Sequence, residues 1–255
     1  FYNLSAFISH LLNFIIMYKF FPIAILLFIV ANLAYAQPAV YAKNDSIKTP
    51  IEGLKNGVLV EIKNESNETS EIGILIDGKK DGAWKKYFLN GPMQRLEEYR
   101  KGVLFGSVIE LNRGGTLELD ENYVNGKLNG RRIKYHYGMQ SIVENYKMGI
   151  LDGSRTTYYE NNQKQEESFY INAKRDGAVK WYNQEGKLIT EFTYKNGRLD
   201  GPAKNLFPDG KLQSEGMHKN DVEEGEWKEY DEQGTLIKTT IYKAGVVVKE
   251  IPAKK

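Results

Sequence analysis

Seven glycines recur along this chain at an almost constant interval: Gly82, Gly106, Gly130, Gly153, Gly177, Gly201 and Gly225, separated by 24, 24, 23, 24, 24 and 24 residues. A period of this kind constrains the fold more than any composition does, because each unit then touches its neighbours rather than a common centre. Three further columns keep phase with it. Seven positions upstream of the later glycines stand Tyr99, Tyr123, Tyr146, Tyr170, Tyr194 and His218, and Tyr242 continues the series. Five positions downstream fall Tyr87, Leu111, Tyr135, Tyr158, Tyr182, Leu206 and Tyr230. Nine downstream fall Gly91, Gly115, Asn162, Gly186, Gly210 and Gly234, whereas Gly138 comes at eight and locates the missing residue of the 23-residue unit.

Within a unit the residue types are those of strands and turns. In the fifth, Asp176-Gly177 and Glu185-Gly186 are turn-compatible pairs, separated and followed by short runs rich in Tyr, Trp, Thr and Ile. The main glycine column is therefore expected to make tight connections between strands, where a residue without Cβ adopts positive φ at little cost. Asn125-Gly126, Asn196-Gly197 and Asp77-Gly78 repeat the signal upstream and mark the hairpin-connecting side. After the second glycine, Leu188, Thr190, Phe192 and Tyr194 alternate with Lys187, Ile189, Glu191 and Thr193. In the preceding strand Trp84, Val179 and Trp227 stand two residues after the glycine, and Tyr87, Tyr182 and Tyr230 stand five after it. Either a bulge changes the parity or both faces are partly covered. The fold expected is all-β: an elongated single-layer antiparallel sheet of about seven stacked β-hairpin units of 24 residues.

Bulk properties limit the chemistry. A formal net charge of +2 in 255 residues argues against nucleic acid as a partner, and the absence of cysteine removes disulfides, thiolate metal sites and cysteine nucleophiles. Met17-Tyr18-Lys19, an apolar run from Phe20 to Leu33 and Ala34-Tyr35-Ala36 before Gln37 have the three parts of a secretory signal peptide, residues 17–36. Residues 1–16, which begin with Phe1, read as upstream sequence from a mispredicted start, with a longer membrane-inserted leader as the alternative. On this reading the chain is exported to periplasm, envelope or medium, and meets membrane through the leader alone. Residues 37–73 are expected to form a tether and a degenerate first hairpin, from Gly57–Lys63 and Ile72–Ile76 around Asn64 to Glu71. The array follows over residues 74–250 and a tail over 251–255.

Motifs such as Tyr194-Lys-Asn-Gly-Arg-Leu-Asp-Gly201 and Tyr123-Val-Asn-Gly-Lys-Leu-Asn-Gly130 resemble the core of the bacterial variant of the MORN repeat, over Leu75 to about Lys249. The resemblance implies a hairpin-stacked sheet and a non-enzymatic role in binding or scaffolding; some bacterial members carry the label of antitoxins. Asp221, His218 and Leu111 depart from the pattern without breaking its phase.

No catalytic, cofactor or metal site is expected. His218 fills a tyrosine slot and reads as a packing residue, and Asp77, Asp81, Asp152, Asp176 and Asp200 read as turn devices before glycine. Glu97, Glu121, Glu144, Glu167, Glu191 and Glu215 recur in the second strand and are expected on a solvated face. The candidate binding residues are the aromatics Trp84, Tyr87, Tyr135, Tyr158, Trp181, Tyr182, Trp227 and Tyr230, with packing as the competing role. Trp84 and Trp227, near the ends of the array, are the stronger contact candidates. The partner expected is another protein; an envelope glycan on an aromatic ladder is the alternative.

Overall fold

The computed structural model describes residues 46–253. The expected signal peptide and upstream extension lie outside the described residues. Among the described residues there is no helix. The strands are β1 (Ser46–Pro50), β2 (Gly57–Lys63), β3 (Thr69–Ile76), β4 (Lys79–Tyr87), β5 (Met93–Arg100) and β6 (Val103–Leu111). They continue as β7 (Leu117–Val124), β8 (Lys127–His136), β9 (Met139–Lys147), β10 (Ile150–Tyr158), β11 (Lys164–Ile171) and β12 (Lys174–Arg175). The last are β13 (Gly177–Tyr182), β14 (Leu188–Lys195), β15 (Arg198–Leu206), β16 (Leu212–Lys219), β17 (Val222–Tyr230), β18 (Leu236–Lys243) and β19 (Val246–Pro252).

Each strand pairs antiparallel with its predecessor and successor, and β12 and β13 act as one strand against β11. The result is one open all-β sheet of stacked hairpins. β2 and β3 make the expected first hairpin, closed by the shorter turn 64–68, and β1, inside the stretch read as a tether, adds an edge strand to it.

At one margin two-residue turns with both φ positive join the units, as at Asn125-Gly126 (51° and 73°) and Asn196-Gly197 (52° and 86°). This left-handed pair matches the right-handed twist of the strands it joins. Successive turns are tied together: Gly102 N donates to Lys80 O at 2.7 Å, Gly126 N to Leu104 O at 2.8 Å, and Gly149 N to Leu128 O at 2.7 Å. The aspartates before the main glycines serve the same stack, for Asp81, Asp152 and Asp176 accept from the N–H groups of Lys101, Asn172 and Asn196 at 2.8, 3.0 and 3.1 Å. The second glycine column lies in the loops of the opposite margin, where Gly186 N donates to Asn183 O at 2.9 Å.

The main glycine column lies in neither set of connections, which corrects the expectation that it turns the chain. These glycines sit inside the first strand of each unit, opposite the tyrosine column of the next strand: Gly82 faces Tyr99, Gly106 faces Tyr123, and Gly177 faces Tyr194. Against the preceding strand the register slips by two residues around each glycine. Leu199 and Ala203, four apart, face Tyr194 and Phe192, two apart. The same slip recurs at Leu104 and Val108, Leu128 and Arg132, and Leu151 and Arg155. All seven have positive φ, and at Gly201, where φ is +130°, a Cβ would also lie 2.9 Å from Cβ of Thr193. In β19, where Lys249 stands 24 residues after Gly225, the slip shrinks to one residue. A second, one-residue slip at the loop margin interrupts the expected alternation at Ile189, since Tyr182 faces Leu188 while Trp181 faces Thr190.

Gly201→Ala should lower stability by about 1–3 kcal/mol through backbone strain. Gly210→Asn should change it little, since Asn162 already holds the equivalent loop position at φ 63°. Urea denaturation of the two variants checks both.

Candidate functional site

The register assigns every strand residue to one of two faces, and both faces are partly covered. One face carries a central row through Trp84, Glu97, Val108, Glu121, Arg132, Glu144, Arg155 and Ser168. It continues through Val179, Phe192 and Ala203 and ends with Trp227 and Thr240. This row is the core. Val108 and Val179 are 0 % exposed and Trp84 is 3 % exposed. Tyrosines of the upstream column lean over it from the same strand: Oη of Tyr99, Tyr123 and Tyr146 donates to Glu97, Glu121 and Glu144 at 2.8, 2.9 and 3.1 Å.

The eight candidate aromatics divide between the faces. Trp84, Trp181 and Trp227 belong to the core face. Trp84 is buried with its ring over Gly73, where a Cβ would come within 2.2 Å of the indole, and its Nε1 donates to Ile74 O at 3.0 Å. Trp227 covers Gly216 in the same way, half-buried, and donates to Met217 O at 3.1 Å. Trp181 Nε1 donates to Glu166 Oε2 at 3.2 Å. Tyr87, Tyr135, Tyr158, Tyr182 and Tyr230 are half-buried on the opposite face. There Tyr182 Oη donates to Glu167 Oε2 at 2.5 Å and Tyr230 Oη to Glu215 Oε1 at 3.0 Å. The eight aromatics do not form one continuous platform.

The glutamate series also divides, which corrects its assignment to a solvated face. Glu97, Glu121 and Glu144 stand two residues before the tyrosine column and are buried, at 7, 5 and 8 % exposure. Glu167, Glu191 and Glu215 stand three before it and lie on the opposite face, in register with Lys180, Lys204 and Lys228. The buried carboxylates belong to an ionic ladder. Glu121, Arg132, Glu144, Arg155, Glu166 and Arg175 follow one another with N···O distances of 2.8, 3.6, 3.1, 3.4 and 2.8 Å. Arg95 bridges Glu97 and Glu110 beside it. The arginines were legible in principle, since Arg132 and Arg155 stand two residues after the main glycine, as Trp84, Val179 and Trp227 do.

Electrostatics follow from this enclosure. Burial opposes the charge on Glu97, but hydrogen bonds from Tyr99 and Arg95 outweigh it and hold its carboxyl below the ordinary range. Burial and the bond to Glu121 push the Tyr123 phenol up to about 12. Where the ladder ends, a series of edge-to-face and tilted rings takes over: Trp181, Phe192, His218, Trp227 and Tyr242 follow with centroid separations of 5.7, 5.6, 5.0 and 6.3 Å. His218 thus packs as a ring in its tyrosine slot, and burial lowers its pKa against the pull of Glu223 and Asp221. Among the described residues no group of three or more His, Asp or Glu side chains lies close enough to hold a metal ion.

An array of antiparallel hairpins repeating every 24 residues defines an all-β repeat protein. Four tandem segments, residues 151–172, 175–196, 199–220 and 223–244, match the family model described as MORN repeat variant. No curated protein matches the chain. Each matched segment holds one first strand, its loop and one second strand. The three preceding units have the same pairing and the same glycine-centred slip.

Arg132→Ala, which leaves the buried Glu121 without its cation and Glu144 with Arg155 alone, should cost about 3 kcal/mol. Lys238→Ala, which breaks the exposed pair with Glu229, should cost under about 1 kcal/mol; thermal melts compare them. Glu97 has a lowered folded-state pKa, so its stabilisation is present above the ordinary glutamate value of 4.5 and is lost as pH falls through and below it. Tyr123 has a raised one, so its share is complete below about pH 10 and is lost as pH rises towards about 12. Melting temperatures across the pH range should fall at both ends, and Glu97→Gln should flatten the acid limb.

Proposed function

We propose that this chain is an exported, non-enzymatic repeat protein that presents an extended β surface to another protein. The observation that carries the reading is the open single sheet, in which strand contacts run between sequence neighbours and both faces present equivalent positions at each step. A surface of this form fits recognition of an extended partner better than enclosure of a small substrate. The match of four tandem segments to the MORN repeat variant supports it. Export rests on the leader-like residues 17–36, and with it the partner is a protein of the envelope or the medium. An antitoxin-like role would then require an exported toxin. The division of the aromatics between two faces gives no support to a glycan platform.

Deleting residues 103–126 joins one two-residue turn directly to the next strand and removes a whole unit. The shortened chain should stay folded by circular dichroism, yet lose the protein cross-linked to the full chain on intact cells. Undiminished cross-linking, or turnover of a substrate by the purified chain, would count against the proposal.

A further inference from the structure

The face opposite the core has a central row of its own, and its chemistry changes along the sheet. From β10 onwards the row is polar: Thr156, Glu167, Lys180, Glu191, Lys204, Glu215 and Lys228 succeed one another in register, acid against base. Towards the N-terminal end the same row holds Ile72, Leu96, Ile109, Ile133 and Val143, interrupted by Lys85 and Asp120. Ile133 is buried and the other aliphatic residues are half-buried. One half of this face is thus suited to water and the other to an apolar cover.

The tyrosines beside this row change in step with it. In the charged half, Tyr182 and Tyr230 give their hydroxyls to Glu167 and Glu215. Tyr87 and Tyr135 in the aliphatic half, and Tyr158 on the adjoining β10, occupy the same column, and among the described residues their hydroxyls have no hydrogen-bond partner in the protein. These hydroxyls are accessible, since none is among the buried unpaired polar atoms. The charged half shows what this column takes when satisfied, which is a carboxylate. Lys85, exposed within the aliphatic row and outside every ion pair of the described residues, favours the same charge beside Tyr87, whereas Asp120, the row's other charge and also outside those ion pairs, adds no such pull near Tyr135.

We propose that the aliphatic half of this face is the docking surface for an amphipathic helix of a partner protein, with an apolar stripe on Ile72 to Val143 and carboxylates along one margin for Tyr87, Tyr135 and Tyr158. The inference rests on the protein-binding reading above and assigns it a face and a partner chemistry. A helix is the element that covers the apolar face of a sheet while leaving none of its own backbone groups unpaired. From β4, which carries Tyr87, to β10, which carries Tyr158, is six strand steps, or about 29 Å at roughly 4.8 Å each. At about 1.5 Å per residue, that is a helix of about 19 residues.

The probe is a stapled 20-residue helix with a leucine stripe and a glutamate margin, set against one with a lysine margin and one with the same residues scrambled. Fluorescence anisotropy on the full chain should show the glutamate-margined helix binding at least tenfold more tightly than either control. The triple variant Tyr87→Phe, Tyr135→Phe, Tyr158→Phe should lose about tenfold, Ile109→Asp should abolish binding, and Tyr182→Phe with Tyr230→Phe should leave it unchanged. Circular dichroism confirms that each variant is folded. Equal binding of the three helices, or an unchanged triple variant, would overturn the proposal. So would an Ile109→Asp chain that changes its oligomeric state instead, because that would give the face to a second copy. If the protein cross-linked on cells still binds Ile109→Asp undiminished, this face is not the site and the protein-binding reading stands. If neither that protein nor the helix binds, both fall.

Discussion

The register slip centred on each repeated glycine is the constraint on which the rest of this structure depends. A strand that carries two more residues than its neighbour over the same span must bulge, and the bulge raises the local twist. Because the slip recurs in every unit, the sheet is twisted at regular intervals and each tyrosine meets a glycine on the strand before it. The tyrosine leans along its own strand, its hydroxyl held by the glutamate two residues before it, and closes over the central row. A side chain in the core of one layer is then enclosed by flanking residues rather than by a second layer. That is how Val108 and Val179 come to be buried in an open sheet.

The core so made is not uniformly apolar. Its middle stretch from Glu121 to Arg175 is held by charges, and its C-terminal stretch by rings and small residues. A buried charge is tolerated where partners and hydrogen bonds surround it, and here each inner carboxylate has a guanidinium and most have a phenol as well. The opposite face is aliphatic beside the N-terminal part of the ionic ladder and ionic where the core is aromatic, and over β10 to β12 both faces carry charge.

Much of this was legible in the residues, for reasons that can be named. The period, the hairpins, the first strand pair at Gly57–Lys63 and the turns at Asn125-Gly126 and Asn196-Gly197 follow from alternation and turn chemistry, which are local. The role of the main glycine was misread because positive φ serves turns and bulges alike, and sequence does not say which. The glutamate series looked single because its members are alike in type. They differ by one residue in distance from the tyrosine, and one residue in a strand is the other face. Arg132 and Glu144 touch only because the register places them together, which no local pattern reports.

Both edges of the described sheet close on the same residue type. β1 (Ser46–Pro50) ends in Pro50 and β19 (Val246–Pro252) in Pro252, neither of which has a backbone N–H to offer a further strand. The repetition that would let the ribbon grow by one more hairpin thus meets, at either end, the one residue that cannot complete a ladder.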